Sequence, residues 1–265
     1  VMLETSCSIY RDPLKSTFIT SVFISIGIVI SYIPQHVKII QTRSSVGLSP
    51  VFLLLSSLSG ITATSNLILL SFISLPCCSE LSTFECVNSQ ISLIQVGLQT
   101  LSTLLVVLLC VLLTNTPDDF YVYEEVARAW RHITSFMIFM IITLIVASLF
   151  FTNDSILLYA KVLGVFSTTV AIIQYLPQLK TTWTLKRSGS LSIPMMCVQT
   201  PGGFIWTATL MLKPGSNWSS WLPFLTAATL QSALLILCSY YEYFAEKEEV
   251  LLVNEDQYYT NEDDS

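Results

Sequence analysis

Charge is scarce in this chain, and what there is avoids the places a soluble fold would put it. Only 11% of the 265 residues are charged, against roughly 25% in ordinary soluble domains. Seven long apolar stretches contain no aspartate or glutamate; the acids gather in the loops and in the last 25 residues. A helix on a soluble core shows a polar face every third or fourth residue, and these stretches lack one, which makes lipid their expected solvent. Histidine is nearly absent as well. His36 and His132 are the only two, and no His-x-x-x-His pair, Gly-x-Ser-x-Gly elbow or phosphate-cradling loop occurs. No enzyme site, metal site or cofactor is expected. The net charge of −6 argues against a nucleic-acid partner.

What is present is hydrophobic length. A bilayer core of about 30 Å takes about 20 apolar residues per helix. Seven spans are predicted: Thr17–Ile40, Val51–Leu75, Ile91–Leu113, Ile133–Phe151, Leu157–Leu179, Ile193–Leu212 and Trp221–Tyr241. Lys161, near the start of the fifth, is expected to snorkel to the surface. The first stretch is too long for a signal peptide, lacks a small-residue cleavage site and ends in Pro34-Gln35-His36.

With the N-terminus outside, the cytosolic segments hold eight basic residues (Lys38, Arg43, Arg128, Arg131, Lys180, Lys186, Arg187 and Lys247). The outer side holds four (Arg11, Lys15, Lys161 and Lys213). The positive-inside bias therefore predicts an outer N-terminus and a cytosolic C-terminus. The sequons at Asn153 and Asn217 fall in loops assigned outside and count as orientation support. Cys7, Cys77, Cys78 and Cys86 fall on the same side, where an oxidising lumen allows up to two disulfides in three possible pairings. Cys110, Cys197 and Cys238 lie within spans.

The chain also matches itself at an offset of 143. Tyr32-Ile33-Pro34-Gln35 aligns with Tyr175-Leu176-Pro177-Gln178, Arg43 with Lys186, Ser45 with Ser188, Leu48-Ser49 with Leu191-Ser192, and Gly60 with Gly203. Each Pro-Gln pair comes late in a membrane helix, before a basic loop and a Leu-Ser that opens the next helix. On these residues the chain resembles the PQ-loop family, which includes cystinosin and the vacuolar-lysosomal exporters of cationic amino acids and, more distantly, the SWEET facilitators. The resemblance implies an all-α integral membrane protein whose seven transmembrane helices form two parallel three-helix bundles (3+1+3) with a substrate path between them. The domains expected are a first three-helix repeat over 17–113, a cytosolic loop plus connector helix over 114–156, a second repeat over 157–241, and an acidic disordered cytosolic tail over 242–265.

Proline lacks an N–H and bends a helix, and in a membrane the freed carbonyl needs a new partner. The adjacent glutamine can supply one. Pro34, Gln35, Pro177 and Gln178 are therefore expected to act as hinges that let the inner halves of their helices swing. Polar side chains deep in spans are the substrate-contact candidates: Asn66, Gln95, Gln99, Gln174, Trp206 and Gln231, with Gln199 beside them. SWEET-like sites use paired asparagines in the third helix of each repeat, where this chain has Gln95, Gln99 and Gln231, so an amino acid or related metabolite is favoured over a sugar. No span carries the membrane acids that couple cystinosin-like export to protons, and His36, at the cytosolic face, is read as a surface residue; proton-coupled and passive transport both remain allowed. Glu248-Glu249-Val250-Leu251-Leu252 in the tail is similar to an acidic dileucine signal, so a sorting adaptor joins the small-molecule substrate and the bilayer as an expected partner. The function expected is small-solute transport across a vacuole-like or lysosome-like membrane, with a seven-helix receptor or scaffold as the alternative.

Overall fold

The structure is a computed structural model that describes residues 7–43, 49–113, 120–186 and 193–245. Seven α-helices carry the fold: α1 (Lys15–Thr42), α2 (Pro50–Ser74), α3 (Thr83–Leu113), α4 (Phe120–Phe150), α5 (Asn153–Leu185), α6 (Ile193–Met211) and α7 (Trp218–Tyr240). Short 3-10 turns at Ser8–Tyr10 and Leu75–Ser79 and a π turn at Tyr241–Ala245 complete it, and no strand occurs among the described residues.

The helix boundaries follow local chemistry. Ser49 caps α2 by accepting a hydrogen bond from the Phe52 amide, and Pro50 sits in the first turn, where its missing N–H costs nothing. Ser82 and Glu85 form a reciprocal capping box at the start of α3, with the Ser82 amide donating to Glu85 Oε2 at 2.8 Å and the Glu85 amide to Ser82 Oγ at 3.4 Å. This box lets α3 begin eight residues before the predicted span at Ile91. Thr152 and Asn217 cap α5 and α7. The charged stretch before Ile133, expected as loop, is helical from Phe120; an exposed Glu124–Arg128 pair one turn apart supports that extension. The ends of α1 and α5 are a matched pair. Arg43 and Lys186, 143 residues apart, both adopt the left-handed conformation, at φ 47° and φ 50°, and their amides close the last turns on Ile39 and Thr182.

Six of the helices are long and apolar enough to cross a membrane. The other, α6, is 19 residues long but dilutes its apolar content with Gln199, Thr200, Pro201, Gly202, Gly203 and Thr207. The surface is inverted relative to a soluble protein. Phe139, Ile142, Leu149 and Phe150 of α4 point outward, while Ser57, Thr62, Asn66 and Ser167 are fully enclosed. Only an apolar solvent makes that distribution favourable.

In the packing, α1 lies along α3 and α3 also packs on α2; α5 lies along α7 and α7 also packs on α6. The same order, first helix to third to second, thus occurs twice. The two sets meet mainly through α2 and α5, whereas α1 and α6 touch only lightly, and α4 packs on α2 and α3. Glycines set some of these distances. A Cβ on Gly164 would fall 2.3 Å from the Ser219 carbonyl, so α5 and α7 touch backbone to backbone there. Gly60 lies against Thr100 and its repeat partner Gly203 against Ala228. The register of the third helices follows: Thr100 corresponds to Ala228, and the offset of 143 falls to 128. The first repeat therefore carries 15 extra residues between its second and third helices. They lengthen the end of α2, the start of α3 and the link between them, which holds the turn at Leu75–Ser79, where Cys77 bonds Cys7 and Cys78 bonds Cys86.

Candidate functional site

A cavity of about 90 Å³ lies between the repeats. Its walls come from α2 (Ser56, Ser59, Gly60, Ala63), α3 (Val96, Gln99, Thr100, Thr103), α5 (Ser167, Ala171, Gln174, Tyr175) and α7 (Pro223, Phe224, Ala227). No charged residue among those described lines it. Hydroxyls and amides ring it instead, and several bond across the seam. Gln174 Nε2 donates to Ser56 Oγ at 3.2 Å. The Ser59 and Ser167 hydroxyls lie 3.0 Å apart, each also within reach of the other's backbone carbonyl. Such a lining offers hydrogen-bonding groups without charge, with Phe224 among its apolar walls. At this volume it holds only a few heavy atoms, so a larger solute requires the repeats to part.

Each repeat secures its proline-bearing helix in the same way. The Tyr32 hydroxyl bonds Thr103 Oγ1 at 3.0 Å, tying α1 to α3. The Tyr175 hydroxyl donates to Gln231 Oε1 at 3.5 Å, tying α5 to α7. Thr103 and Gln231 are 128 apart, as the shifted register requires. Both tyrosines sit two residues before a proline. Pro34 and Pro177 lie inside helices that run on for another two turns. Beyond Pro34, the His36 ring reaches the Ser102 carbonyl at 3.2 Å.

The sequence candidates separate into groups. Gln99 and Gln174 line the central cavity. Asn66 and Gln95 are enclosed and line neither described cavity. Asn66 Nδ2 donates to the Ala160 carbonyl at 2.6 Å and to Ser219 Oγ at 3.0 Å, joining α2, α5 and α7. Gln95 Nε2 donates to the Ser21 carbonyl at 2.9 Å, joining α3 to α1. Gln231 also donates to Gln199 on α6 at 3.2 Å. Trp206 is buried in a cluster with Ala63, its own repeat counterpart, and packs 4.7 Å from Phe224; its Nε1 has no partner among the described residues. Equivalent positions of two related halves meet only near the axis that relates them, so Ala63 and Trp206 mark where that axis runs. Gln35 is half-buried beside Pro34. The Gln178 side chain, Ser45, Ser188, Leu191-Ser192 and the dileucine at 248–252 lie outside the described residues. Asn153 is exposed at the start of α5, whereas Asn217 is half-buried and uses its Oδ1 as a cap.

Three features escaped the sequence reading. The tyrosines of the repeated Tyr-x-Pro-Gln carry no sign in the sequence of the partners they bond. The Ser59–Ser167 contact joins residues 108 apart with no pattern to betray it. The third is Lys213, in the short link between α6 and α7. Its half-buried side chain donates to Ser92 Oγ at 2.9 Å, and desolvation pulls its pKa down to about 7.

This geometry defines a polytopic helical membrane protein with an internal duplication. A family model of the PQ loop repeat matches residues 17–75 and 159–219. An uncharacterized protein of Schizosaccharomyces pombe is 33% identical across 90% of this chain and 87% of its own length. The chain belongs to the PQ-loop repeat family, whose members are commonly transporters rather than enzymes.

Proposed function

We propose that this protein transports a small solute, an amino acid or related metabolite, by alternating access between two three-helix repeats, with α4 as their connector. The observation that carries the reading is the uncharged polar cavity on the seam, lined from both repeats and flanked by a matched Tyr-x-Pro-Gln in each. The repeated helix order supports the 3+1+3 arrangement. In this reading α6 is the seventh span, with Thr200, Thr207 and Thr209 buried and Val198 and Ile205 turned to lipid. The disulfide end faces the lumen of a vacuole-like or lysosome-like compartment, and the C-terminus faces the cytosol.

The hinge follows from the geometry. Each tyrosine holds the helix before its proline to the third helix of the same repeat. The proline nitrogen cannot bond the carbonyl one turn back, so the segment beyond bends at low cost. Parting these inner segments opens the cavity toward the basic loops.

A counterflow assay in liposomes, screening amino acids and sugars, tests the function. Saturable exchange of an amino acid supports it. Solute binding without exchange would replace it with a receptor.

A further inference from the structure

A second cavity, of about 170 Å³, opens at the disulfide end, separate from the one on the seam. Its walls are Leu67–Ser74 of α2, Ser89–Leu93 of α3, the α6–α7 link and Tyr10. The half-buried side chain of Lys213 lines it and carries its ammonium to Ser92. Its contact is a single hydroxyl, Ser92 Oγ, and no carboxylate pairs with it among the described residues. A buried cation without a counter-charge is expensive, which is why such groups are normally paired. Two of its three N–H groups have no partner on the described protein.

The surrounding hydroxyls divide by what they already do. Those of Ser89, Ser216 and Ser220 donate to backbone carbonyls. Those of Ser71, Ser92 and Tyr10 line the cavity and donate to no acceptor among the described residues. One half-buried ammonium and three uncommitted O–H donors around one space form a donor-rich, cationic site. We propose that this cavity binds a small carboxylate, with Lys213 as its counter-charge and Ser92, Ser71 and Tyr10 as hydrogen-bond donors.

The site is distinct in chemistry from the central cavity, which has no charge. If the transport reading holds, this is where the acid group of an incoming or departing solute is recognised at the lumenal mouth. The binding itself does not depend on that reading. Among the described residues, Tyr10 is the only titratable side chain besides Lys213 that lines the cavity, and none of those lining it is an acid that would compete for the ammonium.

The test uses the purified full chain in detergent micelles, disulfides intact, in mildly acidic buffer at fixed ionic strength. Acetate, its uncharged isostere acetamide, and inorganic phosphate are titrated calorimetrically. Acetate should bind saturably and acetamide should not. Lys213→Gln should weaken acetate by about tenfold or more, and Ser92→Ala by a few fold, as expected for losing a charge-assisted bond and a neutral one. The titration of the unaltered protein keeps the test decisive even if a variant folds poorly. No saturable acetate binding, equal binding of acetamide, or a well-folded Lys213→Gln protein with unchanged affinity overturns the site. Phosphate binding about tenfold tighter than acetate overturns the carboxylate assignment. Because no flux is measured, failure here leaves the transport reading standing, and absence of flux leaves this site standing.

Discussion

Asn66 is a single amide that holds three helices. Replacing it with leucine removes both donations and leaves the Ala160 carbonyl and Ser219 hydroxyl unmatched in an apolar interior. We expect a loss of about 1–2 kcal/mol, read as a lowered unfolding midpoint in mild detergent. A midpoint equal to that of the unaltered protein would mean other groups replace the amide. At Gly164 the expected effect is steric. An alanine methyl cannot coexist with the Ser219 backbone, so Gly164→Ala should separate α5 from α7 at a cost of about 1–3 kcal/mol. Lys213 makes stability depend on pH. Its folded pKa of about 7 lies below its ordinary 10.5, so between these values the unfolded chain holds a proton that the folded chain does not. Stability should therefore rise as pH climbs from neutral into the alkaline range. Lys213→Met should remove that slope. A slope unchanged in the variant would assign it to another group.

At the scale of elements, the repeat is written in hydrogen bonds as much as in sequence. Pro34→Ala and Pro177→Ala each restore a backbone bond and should straighten α1 or α5. Flux should fall while expression and binding persist, since a bias of about 1.4 kcal/mol between gate states shifts their ratio tenfold. Tyr32→Phe and Tyr175→Phe probe the anchor instead. Each removes one hydroxyl, frees the segment before the proline and should slow exchange without changing helix content. Normal exchange in the double proline variant would reduce the pairs to packing features. The seams add an asymmetry. Because α2 and α5 pack closely while α1 and α6 barely touch, the repeats should separate first along the α1–α6 side.

For the whole molecule, the Cys7–Cys77 disulfide pins the N-terminal segment to the mouth of the bundle, while Cys78–Cys86 closes a local loop. Non-reduced peptide mapping should recover Cys7 linked to Cys77 and Cys78 linked to Cys86. The first closes a separation of 70 residues, worth about 4 kcal/mol against a fully unfolded chain and less when the helices stay inserted. Protease added to right-side-out vesicles should spare the C-terminal tail; its cleavage would reverse the orientation. What the sequence by itself determined is the part governed by local rules. Apolar length marks the helices, because a bilayer demands it. Identity at a fixed offset marks the duplication, because two related segments keep their turn residues. What only the tertiary structure decided is which polar groups face one another. Gln95 and Gln99 share one helix face and read alike along the chain, yet Gln95 is bonded to a helix of its own repeat while Gln99 opens on the seam. Of three possible cysteine pairings, proximity in space selects one. The amine of Lys213, in a short polar link, looks solvated until α2 and α3 close around it. Burial and partnership are properties of neighbours distant in the chain, and periodicity carries no record of them.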